Sequence, residues 1–244
     1  MTGATAPISQ RLLLCAGFVQ PGAHVCDVGC DHGYLAIHLA RTGAAAVLAA
    51  DVAPGPLARA RENVARYGLE DRIRLRLTDG LAGIGPGDCD TVVIAGMGGD
   101  CIQGILARCP WAADGRHRFI LQPQTSGNDL RRWLGEQGWR IEDERLCRDA
   151  GRLYTAMLAL PGGGRPLTPD EQYLSPALRR AGGPLLGEYA GRIRAALAAA
   201  AAGLERSRRA ADAPRRDYYR AALAGLEAWL AEQPAQEANH DDQS

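Results

Sequence analysis

At 244 residues, 46% of them hydrophobic, the chain is long enough for one large domain, or for one domain with an appended segment. Its 28 basic and 28 acidic side chains cancel, and every basic residue is Arg. Biased genome base composition and contacts with phosphates would both enrich Arg, so charge alone does not indicate a nucleic-acid partner.

The cysteines, the first 20 residues and the apolar runs indicate whether the protein binds a metal and where in the cell it is found. The seven cysteines include no C-x-x-C pair, and no His lies at zinc-finger spacing, so we expect no metal site. Several cysteines lie in apolar runs, which is ordinary for reduced thiols, and the expected compartment is a reducing cytoplasm. Residues 1–20 do not resemble a signal peptide, and no apolar run approaches a membrane span, so we expect a soluble protein.

The first predicted elements are a helix, a strand and a second helix. Residues 7–19 have an amphipathic helical period, and Arg11 lies beside the apolar stripe, either as a solvated or packing residue or as a substrate contact. Residues 23–28 form an apolar strand, a turn with two glycines follows, and residues 34–40 favour a helix. Strand, glycine turn and helix together open a ligand crevice in a doubly wound sheet.

The glycine turn is unusual in its charge. It reads Asp-Val-Gly-Cys-Asp-His-Gly over residues 27–33 and is not G-x-G-x-x-G. Gly29 lets a ligand approach the backbone closely, and Gly33 precedes the helix, whose first amides bind polar groups. Asp27 and Asp31 disfavour a pyrophosphate and favour a ligand with a cationic end, such as S-adenosylmethionine.

Two further strands end in carboxylates. Residues 45–51 form the second predicted strand, and Asp51 lies about 20 residues beyond the glycine turn, where doubly wound folds bind ribose hydroxyls. We include its neighbour Val52 in the cofactor site; a strand-end cap is the alternative for Asp51. Residues 54–67 favour a helix. Residues 72–77 alternate as a third strand and lead to Asp79 and Gly80, a position that receives an adenine amino group in methyltransferase-like sheets; a simple turn is the alternative.

The fourth predicted strand, residues 90–95, ends in Gly96-Met97-Gly98-Gly99. Three glycines in four residues indicate a backbone that passes close to another group, with a flexible loop as the alternative. Residues 102–109 favour a helix, residues 118–122 a fifth strand, and residues 130–137 a further helix. Residues 139–146 and 153–160 favour an antiparallel pair. We therefore predict seven strands, with helices between the first five.

Beyond residue 164 the pattern becomes helical. Residues 161–164, Pro-Gly-Gly-Gly, indicate a linker. Residues 185–207 and 217–231 have apolar residues at spacings of three and four, which is typical of a helical hairpin or short coiled coil. Residues 165–232 hold 11 Arg against 8 acids, a charge compatible with nucleic acid and equally with a solvated face. We expect residues 233–244 to be disordered.

With these motifs in hand, the chain resembles the TrmK family of bacterial tRNA (adenine-22-N1)-methyltransferases over nearly its whole length. The most specific matches are Asp-His-Gly-Tyr-Leu at 31–35 and Ala-Gly-Met-Gly-Gly at 95–99. The other matching segments are Arg11-Leu12, Gly55-Pro-Leu57, Asp79-Gly-Leu81, Leu121-Gln-Pro123, Leu130-Arg131, Trp133-Leu134, Asp143-Glu144 and Tyr154. Asp51 stands where the family usually has Glu, Cys30 where it has Ser, and Gln124 where it has Asn.

The resemblance implies a Rossmann-like class I methyltransferase domain over residues 1–162, a tRNA-binding helical hairpin over 165–232 and a tail over 233–244. It implies S-adenosylmethionine as cofactor and N1 of adenine 22, in the D-arm region of tRNA, as target. The predicted cofactor contacts are Asp27, Gly29, Gly33, Asp51, Val52, Asp79, Gly80 and Met97. The predicted substrate contacts are Arg11, Gly98, Gly99, Gln122 and Pro123.

Adenine N1 carries an in-plane lone pair, so the main task of such an enzyme is alignment and desolvation. Asp31 is the catalytic candidate, because a carboxylate stabilises the cationic product base; orienting the cofactor or capping the helix are its alternatives. The target base must be unpaired or flipped out. Arginines of the hairpin are candidates to bind phosphates: Arg192, Arg194, Arg208, Arg215 and Arg216.

Other functions remain open at this stage. A nicotinamide-dependent dehydrogenase is disfavoured by the missing G-x-G-x-x-G spacing. A small-molecule methyltransferase, another RNA N-methyltransferase and a non-catalytic RNA-binding module on the same fold are the alternatives. We expect a monomer without membrane or metal partners.

Overall fold

A seven-stranded mixed sheet organises the computed structural model, which describes residues 7–205 and 209–233. The strands are β1 (His24–Val28), β2 (Ala46–Asp51), β3 (Ile73–Leu77), β4 (Thr91–Gly98), β5 (Arg118–Thr125), β6 (Trp139–Asp149) and β7 (Arg152–Gly163). Their order is β3-β2-β1-β4-β5-β7-β6. The first five strands pair in parallel, and β7 runs antiparallel to both β5 and β6. The predicted seven-stranded Rossmann-like sheet is confirmed.

Helices flank this sheet and continue beyond it. They are α1 (Gln10–Ala16), α2 (Tyr34–Thr42), α3 (Pro54–Arg66), α4 (Gly99–Ala107), α5 (Gly127–Glu136), α6 (Pro176–Ala181), α7 (Leu186–Glu205) and α8 (Ala213–Ala231), with short 3-10 turns at Pro110–Ala113 and Ala210–Asp212. The expected helix between the third and fourth strands is absent from the described residues 78–90. Four glycines and Pro86 occupy that stretch, and both residue types disfavour a helix interior.

Central strands are buried on both faces, which divides the core in two. In β1, Val25 packs into one apolar cluster with α1, α2 and α3 residues, and Cys26 packs into a second cluster with α4 and α5 residues. Parallel strands covered by helices on both sides show this continuous apolar character. Because β1 to β5 are parallel, their carboxyl ends lie at the same edge of the sheet, and the predicted strand-end site residues lie there.

The predicted linker at residues 161–164 is wrong. Strand β7 continues through Gly163, and the Gly164 amide donates to the Gly138 carbonyl at 3.0 Å. A Cβ on Gly164 would collide with the Trp139 backbone, so this glycine serves close packing against the start of β6. The local Gly-Gly-Gly pattern could not reveal this long-range contact.

The C-terminal helices form the predicted hairpin. Helices α7 and α8 pack together around a third apolar cluster that includes Leu197, Ala222 and Leu226, and Arg220 of α8 pairs with Glu205 at the end of α7. Helix α6 was not predicted, and α8 begins four residues earlier than expected. Residues 234–244 of the predicted tail, and Arg208, lie outside the described residues. Within the described ranges, no helix is both long enough and apolar enough to cross a membrane.

Candidate active site

A cavity of about 290 Å³ opens at the carboxyl ends of β1 and β4. It is lined by Arg11, Leu12, Asp27, Gly29, Cys30, Asp31, His32, Tyr34, Leu35, Ala95 and Gly96. The structure therefore brings the acidic glycine turn together with Arg11 and with the first glycine of the second motif. The strand order reverses between β1 and β4, and open α/β sheets bind their ligands at this point, outside the carboxyl ends of the strands.

Asp27 is the buried acid of this cavity. Its side chain is 3% exposed, and its Oδ2 atom has no hydrogen-bond partner among the described residues. Burial raises the pKa of this carboxyl to about 7, opposed by a hydrogen bond from the Ala36 backbone and reinforced by the nearby charge of Asp51. A buried acceptor without a partner is costly, so this oxygen is available to a donor or a cation from a ligand.

Asp51 fixes the shape of the glycine turn. Its Oδ2 accepts from the Asp31 amide at 3.1 Å, and its Oδ1 accepts from the Ala53 amide at 2.9 Å. The capping alternative considered for Asp51 is thus present in the structure. Each carboxylate oxygen can accept a second hydrogen bond, so capping leaves capacity for ribose hydroxyls.

The turn itself is held in left-handed backbone geometry. Gly29 and Gly33 have φ values of 75° and 73°, and Asp31, which carries a Cβ, has φ 47°. The Asn63 amide donates to the His32 carbonyl at 2.9 Å and ties the turn to α3. A residue with a side chain rarely has a positive φ, so the conformation of Asp31 must be held by the surrounding structure. Such backbone strain is frequent at functional sites. The Asp31 side chain is 65% exposed at the cavity and lies 3.8 Å from His32 Nε2.

Asp79 lies at the next strand end and outside the walls of this cavity. Both of its carboxylate oxygens are 3.4 Å from the Arg108 guanidinium, in an exposed pair. Gly80 follows with φ 55°, and a Cβ there would lie 2.9 Å from Ile105 of α4. Any adenine contact by Asp79 would therefore compete with Arg108.

Two apolar side chains are exposed beside these acids. Val52 is 66% exposed and Leu77 is 57% exposed, and Leu77 pairs in register with Asp51. Exposed aliphatic side chains at the edge of a crevice suit a flat apolar ring. Val52 was among the predicted cofactor contacts, whereas Leu77, at the end of the strand before Asp79, was not singled out.

Met97 contacts the glycine turn from the neighbouring strand, β4. A Cβ on Gly29 would meet the Met97 methyl group, which can turn aside, so it is the φ value of 75° that favours glycine there. The Met97 sulfur lies 3.8 Å from the Cys101 sulfur, on the first turns of α4. Met97 itself is not among the residues that line the cavity, so its contact with a cofactor stays a prediction.

Gln122 connects Arg11 to the glycine motif. It is fully buried, and its Oε1 accepts from Arg11 Nη1 and from the Gly96 amide, both at 3.1 Å. Its Nε2 donates to the Pro123 carbonyl at 3.1 Å. In this structure Gln122 supports Arg11, which lines the cavity, so direct contact of Gln122 or of buried Pro123 with a substrate stays a prediction.

Gly98 and Gly99 have a packing role that the sequence did not reveal. Strand β4 runs through Gly98, and Gly99 opens α4 instead of belonging to a loop. A Cβ on Gly98 would lie 3.1 Å from the Thr125 hydroxyl, and one on Gly99 would lie 3.1 Å from the Thr125 carbonyl and collide with the Ser126 carbonyl. The two glycines thus let β4 and α4 approach the end of β5.

Gly99→Ala should destabilise the fold by about 1–3 kcal/mol, because the added methyl group meets backbone that cannot rotate away. Gly191→Ala is the matched control, since nothing lies within 4 Å of a Cβ at that helical position. That control should stabilise by about 0.5–1 kcal/mol through helix propensity. Chemical denaturation of both variants measures the difference, and equal stabilities would contradict the packing role of Gly99.

Comparisons with known proteins agree with this geometry. A family model described as a methyltransferase domain matches residues 8–157, more than half of the chain. The tRNA (adenine(22)-N(1))-methyltransferase of Bacillus subtilis is 33% identical over 156 residues, which cover 64% of this chain and 66% of that protein. The match therefore spans just under two thirds of that relative.

Solved structures are similar over a larger part of the chain. The B. subtilis M1A22 tRNA methyltransferase TrmK has a TM-score of 0.81 at 25% identity, covering 91% of this chain and 98% of that one. The Streptococcus pneumoniae protein Sp1610, in complex with S-adenosyl-L-methionine, has a TM-score of 0.77 at 31% identity, covering 92% and 100%.

The strand order, the acidic glycine turn and the matched domain define a class I methyltransferase fold. Its C-terminal helical hairpin is included in the structural similarity, which extends over nine tenths of the chain. The chain belongs to the TrmK family. Among residues 7–205 and 209–233, no cluster of three or more His, Cys, Asp or Glu side chains could hold a metal ion.

Proposed function

We infer that this protein is an S-adenosylmethionine-dependent tRNA methyltransferase that modifies N1 of adenine 22. The observation that carries the cofactor assignment is the buried Asp27 carboxylate, whose Oδ2 lacks a partner inside a cavity at the end of β1. The target nucleotide comes from the B. subtilis relative, a tRNA (adenine(22)-N(1))-methyltransferase. The Asp27 carboxylate and the similarity to this relative together favour a tRNA methyltransferase over a small-molecule methyltransferase.

Asp27 inside the cavity and the residues at the neighbouring strand ends outside its walls fit the cofactor by their charge and chemistry. Asp27 would accept from its ammonium group, Asp51 from its ribose hydroxyls, and Asp79 from its adenine amino group once Arg108 moves aside. Exposed Val52 and Leu77 would flank the adenine ring. When bound, S-adenosylmethionine supplies an electrophilic methyl group on a sulfonium centre. The chain supplies orientation and exclusion of water.

The acceptor side is simple because adenine N1 needs no deprotonation before it attacks. Gly96 lines the cavity without a side chain, and Arg11 is held there by Gln122. Asp31 would stabilise the positive charge that develops on the base; its exposure at the cavity and its constrained backbone conformation support this role. An unpaired or flipped-out adenine is required, since pairing would engage N1.

The tRNA itself is the proposed partner, which also implies a cytoplasmic location. In the hairpin, Arg194 and Arg215 are exposed and Arg216 is half-buried, whereas Arg192 pairs with Glu188 at 2.7 Å. Exposed guanidinium groups on one helical segment can contact phosphates, so tRNA affinity should fall as salt rises. Residues 165–232 are thus proposed as the tRNA-binding segment.

Mapping of the methylated nucleotide tests the function directly. An unmodified tRNA transcript with adenine at position 22 is incubated with the protein and S-adenosylmethionine, digested and analysed by mass spectrometry. We expect one methyl group on adenine 22 as 1-methyladenosine, and none on a transcript with guanine there. Methylation elsewhere, or of free nucleosides only, would contradict the proposal.

Asp31→Asn should lower kcat about 100-fold while changing the Kd of S-adenosylmethionine by less than about threefold, because the charge acts on the developing cation. Single-turnover methylation and isothermal titration measure the two quantities. Loss of cofactor affinity equal to the loss of kcat would instead make Asp31 a cofactor ligand. The control is Asp71→Asn, at an exposed position on the loop before β3.

A further inference from the structure

A second cleft, of about 190 Å³, lies between the end of β5 and the C-terminal segment. Its floor is the β5–α5 turn from Pro123 to Asn128, and its walls come from β7, the segment before α6, and α7. It shares no lining residue with the cavity beside Asp27. The volume is below the roughly 300 Å³ that drug-sized ligands need, so it suits a small planar group.

Three tyrosines from three separate elements line this cleft, which we call the tyrosine cleft: Tyr154, Tyr173 and Tyr189. All three are half-buried. Tyr189 interacts with buried Arg131, and Tyr173 interacts with Tyr218. The Tyr154 hydroxyl has no hydrogen-bond partner in the parts of the chain that the structure describes. Aromatic rings and a free hydroxyl suit a planar ligand that can stack on a ring and that carries polar groups at its edges.

The charge in the tyrosine cleft is neutralised before any ligand enters. Arg131 is 2% exposed and donates to Glu144, Thr155 and the Gln172 carbonyl. The remaining polar groups are uncharged, among them Gln124 and Asn128. A phosphate would find no unpaired cation there, whereas amide side chains match the donors and acceptors of a base edge.

The backbone of the cleft floor is strained and fixed. Ser126 has φ 53°, an uncommon conformation for a residue with a side chain. Its carbonyl lies against Gly99, at the start of α4, so the turn cannot relax without moving that helix. Such strain is retained where the surrounding structure holds a functional geometry.

The cleft begins next to the transfer site. Gln122 binds the Gly96 amide at the cofactor cavity, and the adjacent Pro123 already lines the tyrosine cleft. A base that receives a methyl group must lie on the Gly96 side, where the cofactor cavity opens. The cleft is therefore one step along β5 from the target and runs toward α7.

We propose that the tyrosine cleft binds the base of a nucleotide adjacent to the methylated adenine, stacked on Tyr154. This deepens the proposed function and rests on it. Proteins that recognise unpaired RNA stack splayed bases on tyrosine and bind their edges with polar side chains. Holding a neighbouring base would offset the cost of unstacking the target when the tRNA binds, so this contact contributes to tRNA affinity and not to the rate of the transfer step.

Three variants test the proposal in the full-length protein. Tyr154→Leu removes the ring and should raise the KM for tRNA about 10- to 100-fold, with kcat and the Kd of S-adenosylmethionine nearly unchanged. Tyr154→Phe keeps the ring and should stay within about threefold of the wild type in KM. Tyr67→Leu, at the end of α3 and away from the cleft, is the matched control and should leave KM unchanged.

Transcripts with an abasic nucleotide on either side of the target identify the bound base. One of the two should weaken binding of fluorescently labelled tRNA to the wild type and cause no further loss with Tyr154→Leu, because both changes remove the same contact. Unchanged KM in Tyr154→Leu, or losses that multiply for both flanking positions, would overturn the proposal. Wild-type binding without methylation of adenine 22 would instead contradict the proposed function, while the same binding assay would still measure the role of Tyr154.

Discussion

Glu144→Ala is expected to lower the free energy of unfolding by about 3–5 kcal/mol, because it leaves a buried guanidinium without its counter-charge. Arg131 and Glu144 are 2% and 0% exposed and lie 2.6 Å apart. Although burial acts to lower it, the Glu144 carboxylate raises the pKa of Arg131. The arginine cannot discard its proton, so the uncompensated charge remains in the core.

The effect should extend to the C-terminal segment. Glu144 also accepts from the Ser175 hydroxyl at 2.5 Å, and Ser175 caps α6 by accepting from the Leu178 amide at 3.0 Å. Removing the carboxylate therefore weakens the connection between the sheet and the segment that leads to α7. Urea denaturation followed by circular dichroism measures the loss of stability, and limited proteolysis after residue 164 measures the loosening.

Two further variants separate the buried charge from other causes. Glu142→Ala removes an exposed partner of Arg140 from the same strand and should cost less than about 1 kcal/mol. The double variant Arg131→Met with Glu144→Leu removes both charges and should recover most of the stability. A Glu144→Ala protein as stable as Glu142→Ala would show that the pair contributes nothing to the fold.

Asp27→Asn should weaken binding of S-adenosylmethionine about a hundredfold and at the same time stabilise the cofactor-free protein above pH 7. The folded pKa of Asp27 is raised from 3.8 to about 7. Between these two values the folded state holds a proton that the unfolded state has lost, so rising pH favours unfolding. Ionisation of buried Asp27 therefore lowers the free energy of unfolding by up to about 4 kcal/mol above pH 7, and this loss is absent below pH 4.

Thermal unfolding at several pH values and isothermal titration check both halves of this prediction. The wild type should lose stability from pH 4 to pH 7 through this group, and Asp27→Asn should lack that part of the decline. Cofactor binding to the wild type should release a proton near pH 6, because an ammonium group would favour the ionised carboxylate. Asp71→Asn should resemble the wild type throughout. Unchanged affinity in Asp27→Asn would remove Asp27 from the cofactor site.

Local pattern was sufficient for most of the sheet. Alternation, apolar runs and glycine turns are short-range signals, and they predicted all seven strands and the acids at the ends of the first three. The same signals failed where a distant segment determined the conformation. The sequence of residues 161–164, taken by itself, indicates a linker, yet Gly164 is packed on the start of β6. The glycines at 96–99 likewise suggest a loop, yet Gly99 is packed on Ser126.

The sequence by itself determined the class of fold, the acidic turn at residues 27–33 and the identity of the ligand-facing strand ends, because each follows from neighbours within about ten positions. Only the tertiary structure decided that Gln122 supports Arg11 across 111 positions, that Arg131 is neutralised by Glu144, and that tyrosines from three elements meet in one cleft. Those arrangements depend on strand order and helix packing, which bring together side chains whose separation along the chain carries no periodic signal.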